Sequence, residues 1–252
     1  MMHFFDILGT FQGWTYLFIL TLLEIVLGID NIIFISIVTD KLPALKKRKA
    51  RNIGLMLALV VRLFLLAIVS IIIGMTEPLF SIYGHPLSGQ SLILLAGGLF
   101  LIYKSTVEMH SSVKGEEEGG NHKEKSTMAG IVTQIVLVDL VFSFDSVISA
   151  VGMTNGIIEE TGHNPMVIIY FSVIISMIVM LLFSGQISKF ISNNPTIKMI
   201  ALSFLVTIGM LLVAEAFEQH IPKGYVYFAL VYSLIVEMLN IRMRKNKAND
   251  EA

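Results

Sequence analysis

The chain contains seven long apolar runs, each long enough to cross a lipid bilayer as an α-helix. A spanning helix needs about 20 apolar residues, and it pairs its own backbone polar groups inside the hydrocarbon layer. The runs are too long and too continuously apolar for the alternating strands of a membrane barrel. The sequence therefore predicts an all-α membrane protein with one transmembrane domain over residues 1–241. The predicted spans are residues 13–39, 51–75, 89–104, 128–152, 165–183, 196–214 and 224–241.

The composition agrees with this class of protein. Hydrophobic residues make up 55% of the chain, charged residues make up 15%, and the mean hydropathy is +0.78. Soluble domains are closer to about 45–50% apolar and about 25% charged. The absence of cysteine excludes disulfides and thiolate metal sites. We expect a multi-pass protein of the inner (plasma) membrane that contacts the lipid bilayer and binds no nucleic acid.

The basic residues predict the orientation of the chain in the membrane. The loops after the first, third and fifth spans, together with the C-terminal tail, hold 16 of the 18 Lys and Arg residues. Of the other two, Lys223 lies on the opposite side and Arg62 lies within the second span. Loops rich in Lys and Arg stay in the cytoplasm. The predicted topology therefore has the N-terminus outside and the C-terminus inside.

Two polar segments lie outside the predicted spans. Residues 105–127 include the charged and Gly-rich stretch KGEEEGGNHKEK, which is typical of a flexible linker. Residues 242–252 form a second polar segment after the last span. The orientation assigns both segments to the cytoplasm, as a linker and a tail.

The first and fourth spans contain similar motifs. The first carries EIVLGIDNI at residues 24–32, and the fourth carries DLVFSFDSV at residues 139–147. Both read as an acid, a small residue, a second acid and a small polar residue at the same spacing. The corresponding positions, all 115 apart, are Glu24 and Asp139, Gly28 and Ser143, Asp30 and Asp145, and Asn31 and Ser146.

A weaker similarity joins the third span to the sixth, because EMH at 108–110 and EQH at 218–220 are 110 positions apart. The sequence thus predicts two three-helix repeats, residues 13–104 and 128–214, followed by a seventh helix at 224–241. An odd number of helices inverts the second repeat relative to the first. Inverted repeats are characteristic of transporters, whose substrate sites lie near the membrane midplane.

Four acids lie deep within the predicted spans, and this is costly unless they have a function. A charged residue at the bilayer centre costs about 2.5–3.5 kcal/mol on insertion scales. Such residues pair with each other or line a path for ions. We therefore predict a functional centre at Glu24, Asp30, Asp139 and Asp145, with Arg62 as the charge partner of one acid.

Helical geometry separates the acids of one motif. On a straight helix Glu24 and Asn31 lie about 20° apart, whereas Asp30 lies about 120° away. The second motif has the same spacing. Gly28 and Ser143 lie between the acids and are candidate points of unwinding, where freed carbonyls would join the carboxylates as ligands.

Oxygen ligands from several carboxylates favour hard cations such as Mg²⁺, Ca²⁺ or Mn²⁺. No histidine falls inside a predicted span, which argues against zinc, copper and nickel. Glu215 and Glu218, with His220, end the sixth span on the outer side and are candidates for an exit vestibule. A solvated helix end is an equally good interpretation of these three residues.

The motifs LEIVLGIDNIIFIS and VDLVFSFDSVISAVG, with the seven-span layout, resemble the TerC family of integral membrane proteins, named for tellurite resistance. The resemblance covers about residues 5–240. It implies a place in the wider lysine-exporter superfamily and export of manganese, as transported substrate rather than bound cofactor. It implies metal-site acids at Glu24, Asp30, Asp139 and Asp145, with Asn31 and Ser146 as neighbouring polar groups.

We expect a transporter that exports one divalent cation by proton-coupled alternating access, since crowded carboxylates favour proton binding in the empty site. Two other functions stay open: export of a basic amino acid, and a scaffold linked to tellurite resistance or membrane-protein biogenesis. An enzyme is not expected, because HExxH and GxSxG motifs and cysteine are absent. The sequence does not predict the oligomeric state.

Overall fold

A computed structural model describes residues 6–69, 71, 78–82, 85–114, 127–161, 165–219 and 221–250, and most of them are helical. Seven helical segments in these ranges are long and apolar enough to span a membrane, which confirms the predicted number of spans. The first span consists of two consecutive helices, and a short 3-10 turn (Asp6–Gly9) precedes it. The helices are α1 Phe11–Leu27, α2 Ile29–Thr39, α3 Ala44–Ala67, α4 Gly89–Lys114, α5 Met128–Thr161, α6 Met166–Ser192, α7 Pro195–Ala216 and α8 Lys223–Asp250.

Local sequence explains where several helices begin. The Thr10 hydroxyl accepts a hydrogen bond from the Gly13 N–H at 3.0 Å and caps the start of α1. Pro43 and Pro165 directly precede α3 and α6, and Pro195 is the first residue of α7. Proline suits a helix start because its fixed φ is helical and its missing N–H has no intrahelical partner there.

Five helices extend several residues beyond the predicted spans. α5 continues to Thr161 and α6 to Ser192, and each of these two extensions contains a glycine. The other three extend into polar sequence. α3 begins at Ala44, so the basic run up to Arg51 is helical rather than part of a loop. α4 continues to Lys114, so residues 105–114 are not linker; residues 115–126 lie outside the described ranges. α8 continues to Asp250 through the predicted tail. No glycine or proline interrupts these three polar extensions, and hydropathy alone does not mark where such a helix ends.

A short two-stranded antiparallel pair precedes α4, where the sequence analysis placed no strand. It pairs β1, Pro78–Ile82, with β2, His85–Ser88, and the register places Ile82 opposite His85. Each strand has at most five residues. Runs this short carry little periodicity from which a strand could be predicted.

The packing of the helices divides the bundle into a core and a periphery. α1 and α2 pack on α6, α3 packs on α5, and α4 packs on α7 along an extensive interface. All residues of α2 from Asp30 to Thr39 are buried. α8 packs mainly on α7, and only 11% of the residues in its apolar, membrane-spanning stretch are buried. Large apolar side chains such as Trp14, Phe18 and Phe228 point outward, as expected for a surface in contact with lipid.

Candidate functional site

The first span is interrupted at Gly28, between the two acids of its motif. α1 ends at Leu27 and α2 begins at Ile29. The Gly28 N–H donates to the Glu24 carbonyl at 2.9 Å, and the Ile32 N–H donates to the Gly28 carbonyl at 3.2 Å. The interruption is therefore one residue long rather than an unwound segment.

Close packing explains the glycine at this point, and the second motif behaves differently. A Cβ at Gly28 would lie 2.5 Å from the Met180 Sδ, so a larger side chain would have to displace the end of the Met180 side chain. The expected equivalent break at Ser143 is not formed, because α5 is helical throughout this stretch. The Ser143 hydroxyl instead donates to the Asp139 carboxylate at 3.1 Å. Serine fits within a regular helix when its hydroxyl has such a partner.

Arg62 joins the first acids of the two motifs. Its Nη1 donates to Glu24 Oε2 at 2.9 Å, and its Nη2 donates to Asp139 Oδ1 at 3.0 Å. Its Nε also contacts Asp139, at 3.2 Å from Oδ1. All three side chains are at most 3% exposed. Such a planar, multidentate arrangement is what a guanidinium provides for carboxylates, and it compensates charge that would otherwise be buried alone. Arg62 was predicted to partner one acid, and it contacts two.

The small polar residues of the motifs complete this cluster. The Asn31 Nδ2 donates to Asp139 Oδ1 at 2.8 Å. The Ser146 hydroxyl donates to the Ser143 carbonyl at 3.3 Å and lies close to the Glu24 carboxylate. Each motif thus brings its small polar residue to the first acid of the other motif. The buried Asn31 Oδ1 accepts no hydrogen bond in the described part of the chain.

Asp30 lies away from this cluster, as the helical geometry predicts. Its Oδ2 accepts a hydrogen bond from the Tyr227 hydroxyl at 3.1 Å. Its side chain lines a small cavity of about 20 Å³, enough for about one water molecule, whose other polar groups come from Ser146, Lys223 and Tyr227. Five apolar side chains complete the wall: Leu27, Phe142, Ile208, Leu211 and Leu212.

The two vestibule candidates have different surroundings. Glu215 lies near the end of α7 and forms an ion pair with Lys223 at 3.4 Å, so it is linked to a residue that lines the cavity. Glu218 is exposed, and its φ of 60° lies in the left-handed region just after α7. His220 lies outside the described residues.

The three predicted acids whose side chains the structure describes, Glu24, Asp30 and Asp139, do not form one cluster. Glu24 and Asp139 meet around Arg62, whereas Asp30 faces the cavity. The Asp145 side chain lies outside the described residues. Among the described side chains, no three acidic or histidine groups come close enough together to hold a metal ion.

Two further groups were missed by the sequence analysis. Tyr227 and Lys223 reach the cavity from α8, the predicted seventh helix that follows the two repeats. A tyrosine near the end of a span is ordinarily an interfacial anchor, so its residue type and position did not indicate a site. At the other end of the bundle, the buried Glu108 forms ion pairs with Lys41 and Lys198. In the sequence, Glu108 was distinguished only by the similarity of residues 108–110 to residues 218–220.

Comparison with known proteins identifies the family. The sequence model described as "Integral membrane protein TerC family" matches residues 10–252. The chain belongs to the TerC family. This confirms the resemblance inferred from the two motifs.

Relatives of this TerC-family chain carry names that give its location. It is 47% identical over 236 residues to "UPF0053 inner membrane protein YgdQ" of Escherichia coli, covering 93% of this chain and 95% of the relative. It is 44% identical over 235 residues to a "UPF0053 protein" of Haemophilus influenzae, covering 93% and 95%. "UPF0053 inner membrane protein YoaE" of Escherichia coli is 45% identical over 234 residues, which are 92% of this chain but 43% of that longer relative. No solved structure matches. With its seven apolar helices, the chain is a multi-pass inner-membrane protein.

Proposed function

We propose that this TerC-family protein exports a divalent metal cation, most specifically manganese, from the cytoplasm. The observation that carries the proposal is the Asp30 carboxylate, which is buried within the first span and lines a cavity. An acid at this depth is costly unless it serves an ion path or a partner. The carboxylate of Asp30 and the hydroxyls of Ser146 and Tyr227, which line the same cavity, are oxygen ligands of the kind that suit hard cations. The choice of manganese rests on the family resemblance.

The acids divide into two roles in this proposal. Glu24 and Asp139 are compensated by Arg62 and hold the two motif helices together. Asp30 faces the cavity and is the acid that receives the cation. Asp145 corresponds to Asp30 in the second motif, and we assign it the same role from that correspondence. This differs from a single four-acid site, because Arg62 already occupies the place between the first two acids.

We further propose that the two three-helix units are inverted repeats related by a pseudo-twofold axis. The packing of α1 and α2 on α6 is the counterpart of the packing of α5 on α3, and α4 packs on its own counterpart, α7. Asn31 donates to Asp139, and Ser146 approaches Glu24, in the reciprocal manner that such an axis requires. This arrangement supports alternating access around the motif helices, with the N-terminus outside and the basic loops in the cytoplasm.

Uphill export needs an energy source. Moving a charge outward against an inside-negative potential costs about 2.3 kcal/mol per 100 mV, or about 5 kcal/mol for a divalent cation. We propose exchange with protons as the coupling. Efflux should then follow an imposed pH gradient, and efflux that ignores the gradient would count against proton coupling.

The test compares two Asp→Asn variants in proteoliposomes loaded with a manganese-sensitive dye. Asp30→Asn should lose most of the manganese flux, because the cavity loses its carboxylate. Asp40→Asn is the matched control, since Asp40 ends the same helix and binds Lys47 and Ser192 away from the cavity. Equal flux in Asp30→Asn and wild type would refute the assignment of Asp30, and absence of wild-type flux would refute manganese transport.

The alternative functions predict different results, in the flux assay for an amino-acid exporter and in cells for a scaffold. Export of a basic amino acid predicts that arginine or lysine inhibits, with Arg62 binding the substrate carboxylate. All three nitrogens of the Arg62 guanidinium already donate to Glu24 or Asp139, which disfavours this role. A scaffold for tellurite resistance or membrane-protein biogenesis predicts that neutralising Asp30 leaves the cellular phenotype unchanged.

A further inference from the structure

The peripheral helix α8 reaches the candidate cation site through one side chain. The Tyr227 hydroxyl donates to Asp30 Oδ2 at 3.1 Å, across 197 positions of the chain. The Tyr227 ring packs on Phe204 of α7, with ring centroids 5.8 Å apart and an interplanar angle of 52°. The ring contact fixes the position from which the hydroxyl approaches Asp30. A helix that is mostly exposed therefore supplies a polar contact to a carboxylate that is 3% exposed.

A second residue of α8 lies on the same face, one helical turn earlier. Lys223 and Tyr227 are four positions apart, which places both side chains on one side of the helix. Both line the cavity together with Asp30. The ion pair between Lys223 and Glu215 joins the start of α8 to the end of α7. The first turn of α8 is thus attached to α7, and Tyr227 donates to Asp30 one turn later.

The position of this contact within the membrane gives it a function. The cavity is lined by Leu211 and Leu212 near the end of α7 and by Lys223 at the start of α8. In the proposed topology this end of the bundle faces the outside. A cation that approaches the Asp30 Oδ2 from this end has to displace the Tyr227 hydroxyl.

We propose that Tyr227 is the outer closing residue of the cation site, and that α8 moves it on and off Asp30. This inference rests on the proposed function and adds a specific role for the seventh helix. In the closed form the hydroxyl satisfies Asp30 and blocks the outer cavity. In the open form the carboxylate is exposed to the outside and the cation is released.

The test uses the natural absence of cysteine, which makes any introduced thiol unique. Ile208 lines the cavity and is 3% exposed, so Ile208→Cys reports entry of a membrane-impermeant maleimide. Its labelling rate is measured from each face of the membrane in three backgrounds: wild type, Tyr227→Phe and Tyr232→Phe. Tyr232 is the matched control because it lies on α8 with 63% exposure.

We expect Tyr227→Phe to raise the rate of labelling from the outer face by about tenfold, the population shift for loss of one hydrogen bond to a charged group. Labelling from the cytoplasmic face should not rise, and Tyr232→Phe should behave as wild type. An unchanged rate from the outer face, in protein that remains monodisperse, would overturn the proposal. So would an equal increase from both faces, which would indicate general loosening of the bundle.

Manganese binding to the same variants separates this inference from the proposed function. If Tyr227 closes the site without binding the cation, Tyr227→Phe retains manganese binding with equal or higher affinity. Loss of manganese binding with unchanged labelling would make Tyr227 a cation ligand and would overturn its role as closing residue. Labelling itself requires no metal. A tenfold increase in labelling without any manganese flux in wild type would therefore support the closing role and refute manganese as cargo.

Discussion

Asn31 and Asp139 are 108 positions apart in the chain, and a hydrogen bond of 2.8 Å joins the amide of one to the carboxylate of the other. Each belongs to one copy of the repeated motif, so this bond connects the two halves of the protein at their most similar segments. Arg62 contacts the same Asp139 Oδ1 at 3.0 Å. The first acid of each motif thus has a structural role in addition to any role in ion transport.

Replacing Asn31 tests the value of that bond. Asn31→Leu removes the donor to Asp139, and we expect the free energy of unfolding to fall by about 1–3 kcal/mol, the usual cost of an unmade buried hydrogen bond. Asn31→Asp should cost more, because it adds a like charge beside Asp139. Thermal unfolding in detergent measures both variants. Asn246→Leu, at an exposed position on α8, is the control and should unfold as wild type does.

Replacing Arg62 tests the charge balance of the buried cluster. Arg62→Met leaves Glu24 and Asp139 without their cation, and we expect a loss of about 3–5 kcal/mol in unfolding free energy. Arg62→Lys should rescue little, because an ammonium group lacks the planar donors that reach both carboxylates. Unfolding free energies of Arg62→Met, Asp139→Asn and the double variant measure the coupling between the two residues. If the double variant is as unstable as the sum of the single variants, the bridge is not the source of the effect.

Much of this fold could be predicted from the sequence, because hydropathy and charge act over whole segments. Twenty apolar residues and alternating basic loops constrain a span without knowledge of its neighbours. Helical geometry also separated Asp30 from Glu24 and Asn31 correctly, because the helical hydrogen bonds continue across Gly28 and the angle then follows from the spacing of the residues. The predicted positions of the helix ends were less accurate. The polar extensions of α3, α4 and α8 are helical but carry no apolar signal.

The division of the site was not predictable from the sequence, because it depends on how the helices pack. Arg62 was visible as a buried cation, but its contact with both Glu24 and Asp139 requires α3 to lie beside both motif helices. Tyr227 gave no signal at all. Its contact with Asp30 arises from the position of α8 on α7, and no pattern in the seventh span specifies that position.

Glu108 provides a test at the opposite end of the bundle. Its carboxylate forms ion pairs with Lys41, which follows α2, and with Lys198 on α7. The distance from Lys198 Nζ to the carboxylate is 3.7 Å, and the Glu108 side chain is 11% exposed. Both lysines are partly exposed, so we expect Glu108→Gln to lower the unfolding free energy by only about 1 kcal/mol, with a smaller difference from wild type at high salt. Glu218→Gln, which changes an exposed acid, is the matched control. A cost that does not depend on salt would exclude the ion pairs as its cause.

The last prediction concerns the crossing of α4 and α7. An alanine at this crossing should lower the free energy of unfolding, whereas an alanine at an open helical position elsewhere should not. A Cβ at Gly98 would lie 2.6 Å from the Gly209 carbonyl oxygen, and a Cβ at Gly209 would lie 2.9 Å from the Gly98 carbonyl oxygen. The two glycines therefore allow the backbones to touch, in the manner of small residues at membrane helix interfaces. Gly209→Ala should push the helices apart and lower the unfolding free energy by about 1–3 kcal/mol.

Gly152→Ala is the matched control, because the residue is helical and, its own helix backbone aside, no atom of the described residues lies within 4 Å of the added Cβ. Alanine in an open helical position is favoured over glycine by about 0.5–1 kcal/mol, so this variant should be neutral or more stable. Thermal unfolding of the two variants side by side checks the signs. If Gly209→Ala also raises the free energy of unfolding, α4 and α7 can move apart without loss of stability. Close backbone packing would then not determine the separation of the two helices.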